Sequence, residues 1–85
     1  MSTHFQTAVK SAVSDTHRRD AIDRMIDRDE RTNLAILVQM GGLDGEFRRR
    51  ALAGLGTCNA SDELADLATD TAIDPSLRRR ADELK

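Results

Sequence analysis

Sliding the chain along itself by 30 residues lays Thr32–Leu55 over Asp62–Lys85 without a gap. Leu34 meets Leu64, Ala35 meets Ala65, Leu37 meets Leu67 and Asp44 meets Asp74. Arg48, Arg49, Arg50 and Ala51 meet Arg78, Arg79, Arg80 and Ala81, which makes eight identities in 24 positions. Leu43 over Ile73 and Phe47 over Leu77 keep the apolar slots apolar. A further shift of the same size finds a fainter copy, with Arg18, Arg19 and Ala21 in register and Ile22 opposite Leu52. Self-similarity at such a period marks a repeat architecture, in which each unit leaves an apolar stripe that only its neighbour can cover. Three units, about 3–28, 31–57 and 61–85, fill the chain as one domain, and about three are needed for stacking to become stable.

The periodicity inside each unit is helical. Phe5, Ala8, Val9, Ala12 and Val13 recur at spacings of three and four, so one helix face runs through them. Ser2 or Thr3 is placed to cap this first helix, and Ser14-Asp15-Thr16 ends it while offering a cap to the second, which carries Ala21, Ile22, Met25 and Ile26. Beyond the charged break Asp27–Arg31, Leu34, Ala35, Leu37 and Val38 mark a third helix. Gly41-Gly42 is expected to stop it in the left-handed conformation. Asp44 caps a fourth, with Phe47, Ala51, Leu52 and Leu55, ending near Gly56. Ser61 is the expected cap of a fifth, with Asp62 and Glu63 suited to its positive end. Asp74-Pro75 opens a sixth. No stretch sustains a period of two. The expected fold is all-α, a right-handed α-solenoid of three stacked helical hairpins built from about six short helices.

The second half of each unit has a common spelling. It reads Asp44-Gly45-Glu46-Phe47-Arg48-Arg49-Arg50-Ala51 before Leu55-Gly56, and Asp74-Pro75-Ser76-Leu77-Arg78-Arg79-Arg80-Ala81 before Leu84. The first unit reads Ser14-Asp15-Thr16-His17-Arg18-Arg19-Asp20-Ala21 before Met25, with Ser14 in the acidic slot and His17 in the apolar one. This pattern resembles the HEAT-repeat family, in particular its short variety named for the phycobilisome lyases. The resemblance implies a HEAT-like solenoid that binds partners on a concave face lined by the second helices.

Composition narrows the function. Thirteen Lys+Arg against 15 Asp+Glu give a net charge of −2, so the chain is not a bulk polycation for coating nucleic acid. Two aromatics, Phe5 and Phe47, and no Trp or Tyr leave little to stack bases on. No apolar run reaches the ~20 residues of a membrane span and no signal peptide is evident, so no membrane partner is expected. A single Cys58 excludes an internal disulfide, and a cytoplasmic location is the default expectation.

The arginines form two ladders if the units stack. Arg18, Arg48 and Arg78 suit a structural role, bonding turn carbonyls or the acids Asp44 and Asp74 at the start of each second helix. Arg19, Arg49 and Arg79, with Arg50 and Arg80, form either a solvated face paired with nearby acids or a basic strip at intervals of about 10 Å, a helix-packing distance. Acids gather elsewhere: Asp20, Asp23, Asp27, Asp29 and Glu30 near the second helix, and Asp62, Asp66 and Asp70 on one face of the fifth. His4 and His17 are too isolated for a metal site, and His17 is expected to be partly buried. Gly54 and Gly56 read as helix stops and Cys58 as an unactivated thiol. No nucleophile, base and orienter can be assembled, so neither an enzyme nor a metal or cofactor site is expected.

The expected function is therefore a protein-interaction or scaffold module. Its partner would have an acidic surface, met by Arg19, Arg49, Arg50, Arg79 and Arg80, and open repeat ends allow a homodimer. Nucleic-acid binding through the arginine strip is the second reading. A chromophore-lyase subunit, suggested by family association alone, ranks third.

Overall fold

Each helix starts where the local sequence can satisfy its first amides. The computed structural model describes residues 2–85, and its six helices are α1 (Thr3–Val9), α2 (Asp15–Asp27), α3 (Arg31–Gln39), α4 (Gly45–Thr57), α5 (Ser61–Ala68) and α6 (Pro75–Leu84). There is no strand among the described residues. Ser2 Oγ accepts from the Phe5 amide at 3.1 Å and Ser14 Oγ from the His17 amide at 3.3 Å, so both serines cap as their type favours. Asp44 and Asp74 occupy the same position in α4 and α6 but make no side-chain cap bond. Asp74 instead accepts from the Ser76 hydroxyl, and Pro75 fills the first turn of α6.

Several expected boundaries move, and each has a local cause. α1 ends at Val9 rather than running on through Val13. Ala12 is exposed and Val13 half-buried in the turn. Val13 belongs with Leu43 and Ile73, 30 and 60 residues on, whose amides likewise bond back three residues: to Lys10, Met40 and Asp70 oxygens at 3.1, 3.1 and 3.4 Å. A spacing of three to four thus survives across a turn that is not helix. α5 is capped by Ala60, not Ser61, without a side-chain bond.

The glycines are not the stops that their type suggests. None has a positive φ. The left-handed positions are Asp29 (φ 57°) and Asn59 (φ 54°), again 30 apart. After α2 the Asp29 and Glu30 amides bond the Ile26 and Met25 oxygens, both at 3.0 Å. After α4 the Asn59 and Ala60 amides bond the Gly56 and Leu55 oxygens at 3.1 and 3.0 Å. Both are Schellman ends, closed by the two non-glycine types that best tolerate the left-handed region. Gly54 and Gly56 lie inside α4 and serve packing. A Cβ on Gly54 would stand 2.4 Å from Ile26 Cγ1 on α2, and one on Gly56 would stand 3.0 Å from Leu84 Cδ2 on α6.

Consecutive helices pack in pairs, α1 on α2, α3 on α4 and α5 on α6, while α2, α4 and α6 pack one on the next and α3 touches α5. The core lies between these layers: Ile22 and Met25 from α2, Leu34, Leu37 and Val38 from α3, Phe47, Leu52 and Leu55 from α4, and Leu64 and Leu67 from α5 are all buried. At the positions of Ile22/Leu52 and Met25/Leu55, α6 carries Asp82 and Lys85, both exposed and paired at 2.9 Å. That end of the helix layer is therefore polar. The Cα radius of gyration is 11.6 Å, close to the ~12 Å of a compact chain of this length.

His17 is exposed, against the expectation of partial burial. Its counterparts Phe47 and Leu77 are buried because a preceding helix covers them, whereas α2 has no preceding second helix to cover His17.

Candidate functional site

The first arginine ladder is structural in its contacts. Arg18 Nε donates to Ala8 O at 2.9 Å and Arg48 Nε to Val38 O at 2.9 Å, each tying the second helix to the end of the first. Arg78 departs from this: its Nη1 donates to Ile73 O at 2.8 Å, in the turn before α6 rather than at the end of α5. The ladder bonds carbonyls rather than acids, at helix ends for Arg18 and Arg48 and in the turn for Arg78; Asp44 and Asp74 form no ion pair among the described residues. Arg18 is 7% exposed, and its guanidinium lies 4.4 Å from the Phe47 ring centroid, a cation–π contact between α2 and α4.

The second ladder divides by junction. Between α2 and α4, Arg19 Nη1 donates to Glu46 Oε2 at 2.8 Å. Arg50 donates through Nε and Nη2 to the two oxygens of Asp23, both at 2.9 Å, a fork-to-fork pair. That pairing raises the Arg50 pKa. Both bridges are half-exposed, so each stabilises only modestly. Between α4 and α6 the acids are missing: the counterpart of Glu46 is Ser76, and that of Asp23 is Ala53. Arg80 turns to Glu83 on its own helix at 3.3 Å. Arg49 and Arg79 make no ion pair among the described residues, and both are exposed. Arg49 folds back over its own first turn, where a Cβ on Gly45 would come within 2.8 Å of Nη1.

Of the five arginines singled out in the sequence, two are thus neutralised across a helix junction, one within its helix, and two stand free. The pairs join residues 27 apart, a separation no local pattern singles out. Lining the units up and reading Glu46 against Ser76, and Asp23 against Ala53, is the signal that finds them.

Other polar features lie at the hinges between pairs. Arg31 donates to Asp29 Oδ1 at 3.0 Å and to Cys58 O at 2.8 Å, joining the two Schellman ends. The Arg31 bond holds the Asp29 carboxyl below its usual range. Cys58 is half-buried, with Sγ 3.5 Å from Ile26 O, and burial pushes its thiol up, away from the thiolate a nucleophile needs. Glu30 takes Asn33 Nδ2 at 3.0 Å and stands 3.4 Å from Arg28 Nε. Burial works to raise its pKa, but bonds from Ser2 and Asn33 and the charges of Arg28 and His4 leave it lowered. No group of three or more His, Cys, Asp or Glu side chains among the described residues is arranged to hold a metal. None of the described helices is long and apolar enough to cross a membrane.

Compared with known proteins, the chain matches no protein-family model, no curated protein and no solved structure.

Proposed function

We propose that this chain is a HEAT-like α-solenoid of three hairpins, a binding module rather than a catalyst, that takes an acidic protein partner on its second helices through Arg49 and Arg79, with Arg80 beside them. The solenoid reading is supported by recurrence at 30 residues of the capping position, the turn amide bond, the arginine-to-carbonyl tie and the left-handed helix end.

One observation carries the binding reading. Arg19 is neutralised by Glu46, whereas its counterparts Arg49 and Arg79 form no ion pair among the described residues. An exposed guanidinium with no internal partner keeps its donors for a carboxylate on another molecule. Arg19 and Arg50, already bonded to acids of this chain, contribute less to the surface than their position suggests.

The test is fluorescence anisotropy with a labelled polyglutamate peptide and, separately, labelled duplex DNA, each over a salt series. The Arg49→Glu/Arg79→Glu variant is compared with Arg24→Glu, a charge reversal at an exposed site on α2. Binding of the acidic peptide that falls at least about tenfold in the double variant, and holds in Arg24→Glu, supports the reading; tenfold corresponds to about 1.4 kcal/mol. DNA binding with the steeper salt slope, lost in the same variant, transfers the site to phosphate. No salt-dependent binding of either probe refutes it.

A further inference from the structure

On the first-helix side, α3 and α5 are separated by an open cleft of about 300 Å³. Its floor is Ala35, Ile36 and Leu67, and its rim includes Glu63, Asp66 and Gln39. Ile36 has no counterpart in this role. At the same position the first unit has Gln6 and the third has Asp66, both exposed, as an outward helical position ordinarily is. In the second unit the position holds a half-buried isoleucine facing the cleft. Leu34, Leu37 and Val38 of the same helix are fully buried in the core, and Ile36 packs against that core from the cleft side.

The charged residues that line the cleft, Glu63 and Asp66, are both acidic. α5 carries Asp62, Glu63 and Asp66 and no cation, and Asp70 follows it. None of these four forms an ion pair among the described residues. Glu63 acts on Arg31 only from beyond ion-pair distance. Asp70 accepts from the Gln39 side-chain amide at 3.2 Å and from the Ala72 backbone amide at 2.9 Å.

We infer that the α3–α5 cleft docks a basic amphipathic helix of a partner protein, seating an aliphatic side chain against Ile36 while cations one turn apart meet Asp62, Glu63 and Asp66. The occupant follows from complementarity. Asp66 on the rim and Asp62, one turn before it on α5 and beyond the cleft lining, are about 6 Å apart along the helix, which matches the rise between Lys or Arg residues at i and i+4 on a helix laid alongside. The cleft is apolar at its floor, so charge alone does not fill it. An aliphatic anchor displaces water from Ala35 and Ile36, and the rim cations fix register. The site is independent of Arg49 and Arg79, which lie on the second helices.

The probe is a labelled synthetic helical peptide with Lys at every fourth position and Leu on the face between, titrated by anisotropy at low and moderate salt. A peptide of the same composition with the Leu residues scattered is the control. Two variants are compared: Glu63→Gln/Asp66→Asn, which removes rim charge, and Ile36→Lys, which places a cation in the cleft at a half-buried position on the edge of the core. Circular dichroism confirms that both retain helix. Binding of the patterned peptide at least about tenfold tighter than the scattered one, weakened at least about tenfold in each variant and unchanged in Arg49→Glu/Arg79→Glu, establishes the site. Equal binding of both peptides, binding indifferent to Ile36→Lys, or no binding at low salt overturns it. None of these outcomes bears on the acidic-peptide test, so the two readings fail separately.

Discussion

Arg18 and Arg48 make the same hydrogen bond in successive helix pairs, Nε to a carbonyl ten residues earlier at 2.9 Å. They differ in what lies beneath them. Arg18 rests on the Phe47 ring at 4.4 Å, while the residue at the Phe47 position one unit later is Leu77. Replacing either arginine by methionine keeps much of the aliphatic stem and removes the donor. At Arg48, which is half-buried, water replaces part of the bond, and the expected cost is about 1–2 kcal/mol. At Arg18 the carbonyl of Ala8 is left with no donor in a dry site, about 1–3 kcal/mol, and the cation–π contact adds about 0.5–2 kcal/mol. Arg18→Met should therefore cost about 2–4 kcal/mol out of the roughly 4–13 kcal/mol that a chain of this size has. The assay is urea unfolding followed by helical circular dichroism for Arg18→Met, Phe47→Leu and the double variant. The leucine is chosen because it is what the third unit carries. For a desolvated cation–π contact the cycle should return a coupling of about 1–2 kcal/mol, above the ~0.3–0.5 kcal/mol scatter of independent sites. A coupling within that scatter, or equal costs for Arg18→Met and Arg48→Met, would refute the claim that the aromatic ring makes the first junction different from the second.

Two further outcomes are expected. Gly54→Ala should destabilise by about 1–3 kcal/mol despite alanine's better helix propensity, because its Cβ meets Ile26 at 2.4 Å; adding Ile26→Ala should recover part of the loss, and Gly42→Ala, with nothing within 4 Å, should be neutral or slightly stabilising in the same thermal melts. The lowered Glu30 pKa means the folded state holds the proton less tightly than the unfolded chain, so its contribution is present above the ordinary carboxylate pKa of 4.5 and is lost as pH falls through the lower folded value. Urea midpoints measured from neutral pH into the acid range should drop less steeply in Glu30→Gln than in the parent chain; identical slopes would remove Glu30 from the acid limb.

Most of the helical organisation was legible in the residues, because what specifies it is local. Ser2 and Ser14 cap within three residues, Pro75 opens α6, and the apolar stripes Leu34/Leu37/Val38 and Phe47/Ala51/Leu52/Leu55 all reach the core. The recurrence of Asp44/Asp74 and of Arg48/Arg78 placed the turn ties in advance, though not the choice of carbonyl over acid. Misreadings arose where residue type was a weaker guide than position. Gly41, Gly42, Gly54 and Gly56 suggested helix stops, yet the left-handed ends went to Asp29 and Asn59, whose short polar side chains tolerate that conformation. Gly54 and Gly56 are bare because neighbouring helices bring Ile26 and Leu84 against them.

The candidate sites divide along the same line. Sequence by itself determines which residues stand at equivalent positions, and the recurrence at 30 residues alone groups Arg19, Arg49 and Arg79. Tertiary structure alone decided which of them are free. Arg19–Glu46 and Arg50–Asp23 join residues 27 apart, and a hydrogen bond of 2.8 or 2.9 Å depends on where two packed helices bring their side chains. The cleft beside Ile36 exists for the same reason: a hydropathy pattern specifies which face of a helix turns inward, but the gap between two helices is set by everything packed beneath them.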